Sequence, residues 1–335
     1  MKVGSQSIIF KNKPKIVGNY TVAGQKEGYG NFKDYFHYIL KDDKFGEDSF
    51  EKAERDIVEH AIFKAADSAN LNMSDIDLLI SGDLLNQIIS SSFAARHFES
   101  TFLGLYGACS TMAESLAVGA CMIDGKHFNN VACATGSHFS SAERQYRYPL
   151  ELGNQRPPVS QWTVTGAGCT ILSNSNKGIA SITGATFGKV TDYGVKDVNN
   201  MGAAMAPAAM RTISTHFKDF GIGPEEYDLI LTGDLGKLGS EIFLDLMEHE
   251  GFKLGQNYND CGQMMFNNNQ KTFQGGSGAG CSAIVLNSYV LDKIKKGTFK
   301  KVLFAATGAL LSTVSSQQGE SIPGICHAVV IERCV

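Results

Sequence analysis

The chain repeats part of itself, and this repeat limits the possible folds more than any other feature of the sequence. Residues 77–84 read DLLISGDL, and residues 228–235 read DLILTGDL, so five of the eight positions are identical. Each copy is a short apolar run that ends in Gly-Asp, which is typical of a buried strand and its exit turn.

A second matched pair lies downstream, at a constant separation of 172 residues. Cys109 and Cys281 each open a segment rich in small residues, and these segments end at Gly125 and Gly297. Each is followed by an apolar run that ends in Thr-Gly, at residues 135–136 and 307–308. Because the order of elements and their end residues both recur, the sequence predicts two homologous halves.

Helical segments precede the repeated strands. The first is predicted to begin near Asp48, which with Glu51 matches a capping box. The second is predicted over about residues 208–220 and ends at Gly221, a residue suited to a C-cap. Closing strands are predicted at residues 166–174 and 177–184 in the first half and at 325–333 in the second.

Alternating helices and apolar strands favour mostly parallel sheets covered by helices. We therefore predict an α/β fold of duplicated αβαβα layers. Its two mixed, mostly parallel sheets would be related by a pseudo-twofold axis. The N-terminal half would span residues 1–190 and the C-terminal half residues 191–335.

Composition excludes several classes of function. The chain carries a net charge of −4, which argues against a nucleic-acid partner. None of the eight cysteines forms a C-x-x-C pair, so zinc-ribbon and thioredoxin-type sites are not expected, and we predict free thiols and no metal site. We expect neither a signal peptide nor a transmembrane helix, because no apolar run reaches about 18 residues.

Several motifs resemble the thiolase superfamily, which includes thiolases and β-ketoacyl synthases. Residues 104–110, GLYGACS, resemble its nucleophile segment, in which a reactive cysteine opens a buried helix. Residues 165–168, TGAG, resemble a conserved turn of that superfamily, and Gly308 and Gly324 fall where it has glycines near the oxyanion hole. A helix N-terminus lowers a thiol pKa, so this position suits a thiolate.

Within that superfamily, the whole chain resembles the stage V sporulation protein AD (SpoVAD) family. The stretches that carry the resemblance are residues 82–90, 105–110, 146–149, 156–158, 162–168 and 231–236. The resemblance implies binding of dipicolinic acid (pyridine-2,6-dicarboxylate), free or as its calcium chelate, for uptake into developing spores. It also implies membrane-embedded SpoVA partners, a homodimer joined through first-half strands, and a location in the sporulating cell or spore, soluble or peripheral to the spore inner membrane.

Catalysis of the thiolase kind requires a base and an oxyanion hole as well as a cysteine. By register, Gly233 occupies the position of the synthase histidine, and Ser277 lies near the position of its asparagine. His327 is an alternative base but lies on an apolar strand. We therefore expect no enzymatic activity and no cofactor, with Cys109 as a vestigial nucleophile that forms part of the pocket wall.

Two other interpretations stay open. One is an acyltransferase of the β-ketoacyl synthase or thiolase type with Cys109 as nucleophile. The other is a scaffold for membrane proteins with a vestigial pocket. The repeated Asp83 and Asp234 are expected to be structural, for example as caps of the following helices.

A dicarboxylate site should offer arginines or helix N-terminal amides, with apolar or aromatic walls for the ring. The stretch from His138 to Trp162 supplies arginines interleaved with aromatic residues. The lysine cluster at residues 293–301 is expected to be a solvated face. The predicted ligand-binding residues are Cys109, His138, Arg144, Arg147, Trp162, Thr232, Gly276 and Ser277.

Overall fold

The computed structural model describes residues 1–146 and 156–334, and most of its strands belong to one extensive sheet. The strands are β1 Lys2–Val3, β2 Ser7–Ile9, β3 Lys15–Ala23, β4 Tyr38–Ile39, β5 Leu78–Gly82, β6 Thr101–Gly104, β7 Asn130–Ser137, β8 Trp162–Thr163, β9 Gly166–Ser173, β10 Ala180–Thr186, β11 Leu229–Thr232, β12 Tyr258–Asp260, β13 Gly276–Ser277, β14 Lys301–Ala309 and β15 Gly324–Arg333.

Helices cover both faces of this sheet. They are α1 Phe50–Ser68, α2 Ile89–Ala94, α3 Thr111–Asp124, α4 Phe139–Tyr146, α5 Met201–Phe220, α6 Gly236–His249, α7 Cys261–Met265, α8 Ala279–Val285, α9 Leu291–Lys295 and α10 Thr313–Gln317. A π-helical turn over Leu286–Val290 joins α8 to α9.

The strand order shows the duplication directly. Across the sheet the order is β6-β5-β7-β9-β3 and then β10-β15-β14-β11-β12. The second set is the mirror of the first, and the last strand of each set, β9 or β15, runs antiparallel to its neighbours. A short antiparallel ladder between β3 and β10 joins the two sets. The predicted pair of mixed, mostly parallel sheets related by a pseudo-twofold axis is confirmed.

The predicted layers also follow from the packing. Helix α3 contacts β7 and β9 of the first set and β14 and β15 of the second, so it lies between the two. Helix α1 packs on the outer face of the first set, and α5 packs on the outer face of the second. Three apolar core clusters correspond to these interfaces, one central and two outer.

The sequence placed one strand in the wrong half. The strand predicted at residues 177–184 as a closing strand of the first half is β10, which pairs along its length with β15. It stands first in the second set, as β3 stands first in the first. By strand order, the first set ends with β9 at Ser173 and the second set begins with β10 at Ala180. The boundary between the two halves at residues 190 and 191 remains a prediction.

Two helix boundaries also differ from the sequence prediction. Helix α1 is capped by Ser49, whose hydroxyl accepts the Lys52 backbone N–H at 3.3 Å, so the capping box expected from Asp48 is wrong. Helix α5 begins at Met201, where the Asn200 side chain caps it by accepting the Ala203 N–H at 3.4 Å, and Pro207 lies inside the helix. It ends at Gly221 in the left-handed conformation, as predicted.

Within residues 1–146 and 156–334, no helix has both the length and the apolar character needed to cross a membrane. All eight cysteines are free thiols.

Candidate functional site

Cys109 lies in a tight turn at the start of α3. The preceding residue, Ala108, has φ 51°, a left-handed conformation that is unfavourable for a residue with a Cβ. Strand β14 passes directly behind this turn at Gly308, where an added Cβ would lie 2.5 Å from the Gly107 carbonyl oxygen and 3.3 Å from the Cys109 nitrogen. The absence of a side chain at Gly308 therefore allows β14 to hold the cysteine turn in place.

The carboxylate of Asp234 is adjacent to the Cys109 thiol. One of its oxygens accepts the Ser277 hydroxyl and the Gly278 backbone N–H, each at 3.0 Å. Its other oxygen accepts the Thr307 hydroxyl at 2.9 Å. Asp234 is fully buried, and burial raises the pKa of its carboxyl to about 6 against the hydrogen bonds that stabilise the charge.

The same environment holds Cys109 as a thiol. Burial raises the pKa of Cys109 well above its usual value, and the charge of Asp234 and the hydrogen bond from the thiol to Asp234 raise it further. The Gly278 N–H and the Ser277 hydroxyl act in the opposite direction but less strongly. These effects oppose formation of the thiolate that a nucleophile requires, although the cysteine lies at a helix N-terminus.

In the described part of the chain, no histidine lines the space around Cys109. A Cβ at Gly233 would lie 2.8 Å from the Thr307 nitrogen, so this position has no room for a side chain, and the neighbouring Asp234 faces the cysteine instead. His327 accepts the Gly188 N–H at 3.3 Å, and burial lowers its pKa to about 4. Neither position supplies a base to Cys109.

A cavity opens in front of Cys109. About 50 Å³ of it is accessible to water, which is room for only a few molecules. A neighbouring cavity of about 310 Å³ shares Leu84, Ala108, Tyr146, Ala309 and Leu311 with it. These five residues line both spaces, and the hydroxyl of Tyr146 donates to the Leu84 carbonyl at 2.6 Å. The cavity in front of Cys109 is lined by Leu84, Ala108, Cys109, Ala142, Glu143, Tyr146, Gln161, Thr163, Asn199, Met201, Ser277, Gly278, Ala309 and Leu311.

Glu143 gives the cavity wall its charge. Its carboxylate accepts hydrogen bonds from the Arg156 guanidinium at 2.7 Å and from the Thr163 hydroxyl at 3.1 Å. The ion pair is buried, with side-chain exposures of 7% for Arg156 and 6% for Glu143. Among the described residues, no lysine or arginine lines the cavity. The described wall is therefore apolar and neutral-polar apart from Glu143, whose charge is balanced by Arg156.

The predicted site residues divide into those at the cavity and those away from it. Cys109 and Ser277 line it. Gly276 lies just behind, where its carbonyl accepts the Gln161 amide at 2.8 Å. Thr232 is one layer deeper and donates to Asp260 at 2.8 Å.

Three predicted residues of the arginine-rich stretch, His138, Arg144 and Trp162, do not line the cavity. His138 donates from Nε2 to the Asp43 carbonyl at 2.6 Å, because its Nδ1 accepts the Ser140 N–H at 3.1 Å. Arg144 pairs with Glu51 at 3.1 Å on the surface. Trp162 stacks on Phe139, with ring centroids 4.0 Å apart. Arg147 lies outside the described residues.

Asp234 was not among the predicted site residues, although the repeat contained a signal for it. In the first half, Asp83 accepts the Leu85 and Ser91 N–H groups at 2.8 Å, which is the structural role predicted for both aspartates. In the second half, Asp260 accepts the Leu235 and Gly236 N–H groups at 2.9 Å. Because Asp260 binds these groups, the Asp234 carboxyl faces Cys109 instead. Glu143, Tyr146, Gln161, Thr163 and Asn199 were also absent from the predicted set.

Comparison with known proteins gives one family over nearly the whole chain. A family model described as Stage V sporulation protein AD (SpoVAD) matches residues 4–332. The curated Stage V sporulation protein AD of Bacillus subtilis (strain 168) is 43% identical over 330 residues, which is 98% of this chain and 97% of that protein.

Solved structures show the fold at low sequence identity. Human mitochondrial 3-ketoacyl-CoA thiolase aligns with a TM-score of 0.61 at 15% identity, over 97% of this chain and 100% of that one. A single-residue variant of Xanthomonas campestris OleA aligns with a TM-score of 0.61 at 13% identity, over 97% and 99% of the two chains. The 3-oxoacyl-[acyl-carrier-protein] synthase III of Aquifex aeolicus VF5 aligns with a TM-score of 0.56 at 14% identity, over 95% and 99%.

Proposed function

The chain belongs to the stage V sporulation protein AD (SpoVAD) family, and we propose that it binds dipicolinic acid without transforming it, in the cavity beside Cys109. The observation that carries this proposal is that Cys109 is paired with the buried carboxyl of Asp234, while no histidine of the described residues lines its cavity. An acyl enzyme needs a thiolate, whereas this arrangement favours the thiol. A site that has a cavity but cannot activate its nucleophile is suited to binding.

The charge of the cavity indicates the form of the ligand. Dipicolinate is a dianion at neutral pH, and among the described residues no lysine or arginine lines the wall; Glu143 there is paired with Arg156, and the Asp234 carboxyl lies nearby. We propose that the calcium chelate is the preferred form, because the metal cancels the ligand's charge. Calcium takes six to eight oxygen ligands, so a chelated ion retains positions for a protein carboxylate or amide oxygen. Glu143, Gln161 and Asn199 offer such oxygens at the wall.

We also propose the assembly and location that the family implies. The protein would act in the sporulating cell, peripheral to the spore inner membrane, with SpoVA membrane proteins as partners. It would form a homodimer through β6, the outermost strand of the first set. Phe93, Leu103 and Tyr106 expose 40%, 36% and 52% of their surface beside this edge. Strand β7, which carries Cys133, is covered by β5 and β9 on both sides and offers no free edge.

A thermal-shift titration tests ligand binding. Dipicolinate should raise the melting temperature progressively with concentration, because a ligand that binds only the folded state stabilises it by mass action. The shift should be larger with equimolar calcium. No shift at millimolar ligand, with or without calcium, would contradict the proposal.

The variant Glu143→Gln tests the form of the ligand. It should reduce affinity for the calcium chelate relative to free dipicolinate, because the amide lacks the charge that a calcium ion prefers. The ratio of the two affinities, measured by calorimetry, is insensitive to any loss of folded protein. Glu241→Gln on the exposed face of α6 is the control and should leave the ratio unchanged. An unchanged ratio in Glu143→Gln would mean that Glu143 does not distinguish the two forms.

An acyltransferase remains the second candidate, because Cys109 stands at the start of α3 as a nucleophile would. Incubation with acetyl-CoA and longer acyl-CoA thioesters, followed by intact-mass measurement, distinguishes the two. We expect no adduct. An adduct that is lost in Cys109→Ala would favour acyl transfer over binding.

A further inference from the structure

A second surface feature lies at the end of the sheet opposite Cys109. At that end Lys15 of β3 pairs with Ser173 and Ser181, whereas Ala23 at the other end of β3 pairs with Gly166. Gly166 is two residues from Val164, which donates to the Ser277 carbonyl beside the cavity. Any ligand at the Lys15 end is therefore remote from the dipicolinate cavity.

A shallow basin occupies this end. Its floor is apolar and half-buried, and its rim carries three exposed cations. No aspartate or glutamate of the described ranges lines it. The floor residues are Val17, Ala69, Leu71 and Ile179, and the rim cations are Lys177, Lys295 and Arg333. We call these seven residues the basic basin.

Among the described residues, the rim cations have no counter-charge, although acidic residues are close by in sequence. Asp67 pairs with Lys64 at 2.9 Å, Asp292 with Lys296 at 2.8 Å, and Glu332 with Lys301 at 3.8 Å. The neighbouring carboxylates are therefore engaged by other lysines. In residues 1–146 and 156–334, Lys177, Lys295 and Arg333 form no ion pair.

Local structure explains one of these cations but not the others. The Arg333 guanidinium lies over Gly297, where an added Cβ would be 2.9 Å from Nη1. This places it near the carbonyl end of α9, which favours a positive charge. Lys177 comes from the loop between β9 and β10 and faces the same basin without such a partner. Lys295 also borders an adjoining groove that contains Asp34, so the cationic rim ends on that side.

We infer that the basic basin binds the head group of an anionic phospholipid. A cationic rim around an apolar floor matches a ligand with a phosphate at one end and an acyl chain at the other. The protein as a whole carries a charge of −4, so this attraction is a property of the basin rather than of the whole molecule. The inference deepens the proposed membrane association by naming the face that would meet the bilayer, and it leaves the dipicolinate cavity at the far end accessible.

The test is co-sedimentation of the whole chain with vesicles. We expect binding to vesicles of equal parts phosphatidylglycerol and phosphatidylcholine, weak binding to phosphatidylcholine alone, and a decrease with added salt. Removal of each rim cation should weaken binding about fivefold, so Lys177→Gln with Lys295→Gln should weaken it about twenty-five-fold. The matched control, Lys189→Gln with Lys237→Gln, removes two exposed lysines away from the basin and should leave binding unchanged.

Several results would overturn the inference. One is equal loss of binding in both double variants, which would indicate general charge attraction. Another is that the unmodified chain does not bind vesicles. This holds also if an acidic peptide such as polyglutamate binds to the chain instead. Binding of soluble short-chain phosphatidylglycerol that is lost only in Lys177→Gln with Lys295→Gln would support the site and identify a free lipid as its source. Dipicolinate titrations of the same variants report on the cavity separately, so failure here is distinguishable from failure of the proposed function.

Discussion

At the scale of single residues, the two copies of the Gly-Asp repeat have diverged in role. Asp83 bonds to groups around its own strand exit, chiefly the Leu85 and Ser91 N–H groups, whereas Asp234 bonds to Ser277, Gly278 and Thr307 and faces Cys109. The divergence is possible because Asp260 satisfies the N–H groups at the start of α6. A buried carboxyl next to a buried thiol then defines the chemistry of the cavity.

Asp234 should make stability depend on pH. Its pKa rises from 3.8 to about 6 on folding, so the folded state holds its proton more tightly than the unfolded state. Stability should therefore fall as pH rises through that window, by up to about 3 kcal/mol from this group. The free energies of unfolding of the unmodified chain and of Asp234→Asn can be measured with urea between pH 4 and pH 7. As pH rises, the stability of the variant should increase relative to that of the unmodified chain. The exposed Asp245→Asn should show no such shift, and a pH-independent difference for Asp234→Asn would contradict the assignment.

The same group should make ligand affinity depend on pH. Above a pH of about 6 the Asp234 carboxylate is charged and repels a free dianion. Calorimetry should therefore show affinity for free dipicolinate decreasing from pH 5.5 to pH 8, with a flatter profile in Asp234→Asn and for the calcium chelate. A steeper profile in Asp234→Asn than in the unmodified chain would place the ligand away from this residue.

At the scale of elements, the site is made by contacts between the two halves. The cysteine turn before α3, the exit of β11 and the β13–α8 turn meet at Cys109, Asp234 and Ser277. Sequence patterns predicted the cysteine segment, strand β11 and the helical segment with Cys281, because apolar runs and glycine stops are local signals, but they did not predict the two-residue strand β13. They could not predict which residue after β11 faces the cysteine. A shift of one residue in the alignment replaces Gly233 by Asp234 at that position. The same limit explains why the arginine-rich stretch was assigned to the ligand, although Arg144 and Trp162 bond elsewhere.

Gly308 should be essential for this convergence. In Gly308→Ala the new Cβ would lie 2.5 Å from the Gly107 carbonyl oxygen, so β14 or the cysteine turn must move. We expect a loss of about 1–3 kcal/mol in the free energy of unfolding and weaker dipicolinate binding. Gly255→Ala is the matched control, because a Cβ there meets only the Asn257 side chain at 3.5 Å. Equal stability of the two variants by urea unfolding would contradict the packing argument.

At the scale of the whole molecule, the mirror order of strands leaves two outer strands, β6 and β12, and their surfaces differ. Strand β6 has exposed residues along its length, whereas β12 ends in the fully buried Asp260. An exposed edge strand offers unpaired backbone groups to a second chain. Strand β6 is therefore the edge through which we propose self-association, and the nearby Tyr106 lines the neighbouring cavity with Leu84 and Tyr146.

The proposed dimer is tested by a charge on β6. Leu103→Lys should shift the protein from dimer to monomer in sedimentation velocity, because an exposed lysine disfavours pairing of an edge strand. Leu244→Lys on α6 is the matched control, since both leucines are 36% exposed. A dimer that persists in Leu103→Lys, or that dissociates equally in Leu244→Lys, would place the interface elsewhere.

The central claim is that the cavity beside Cys109 holds dipicolinate without covalent chemistry, and a crystal structure of the protein with dipicolinate and calcium tests it most directly. We expect ligand density between Glu143, Thr163 and Ser277, with no bond to the Cys109 sulfur. Ligand density only outside this cavity, for instance in the basic basin, or a covalent adduct on Cys109 would contradict it.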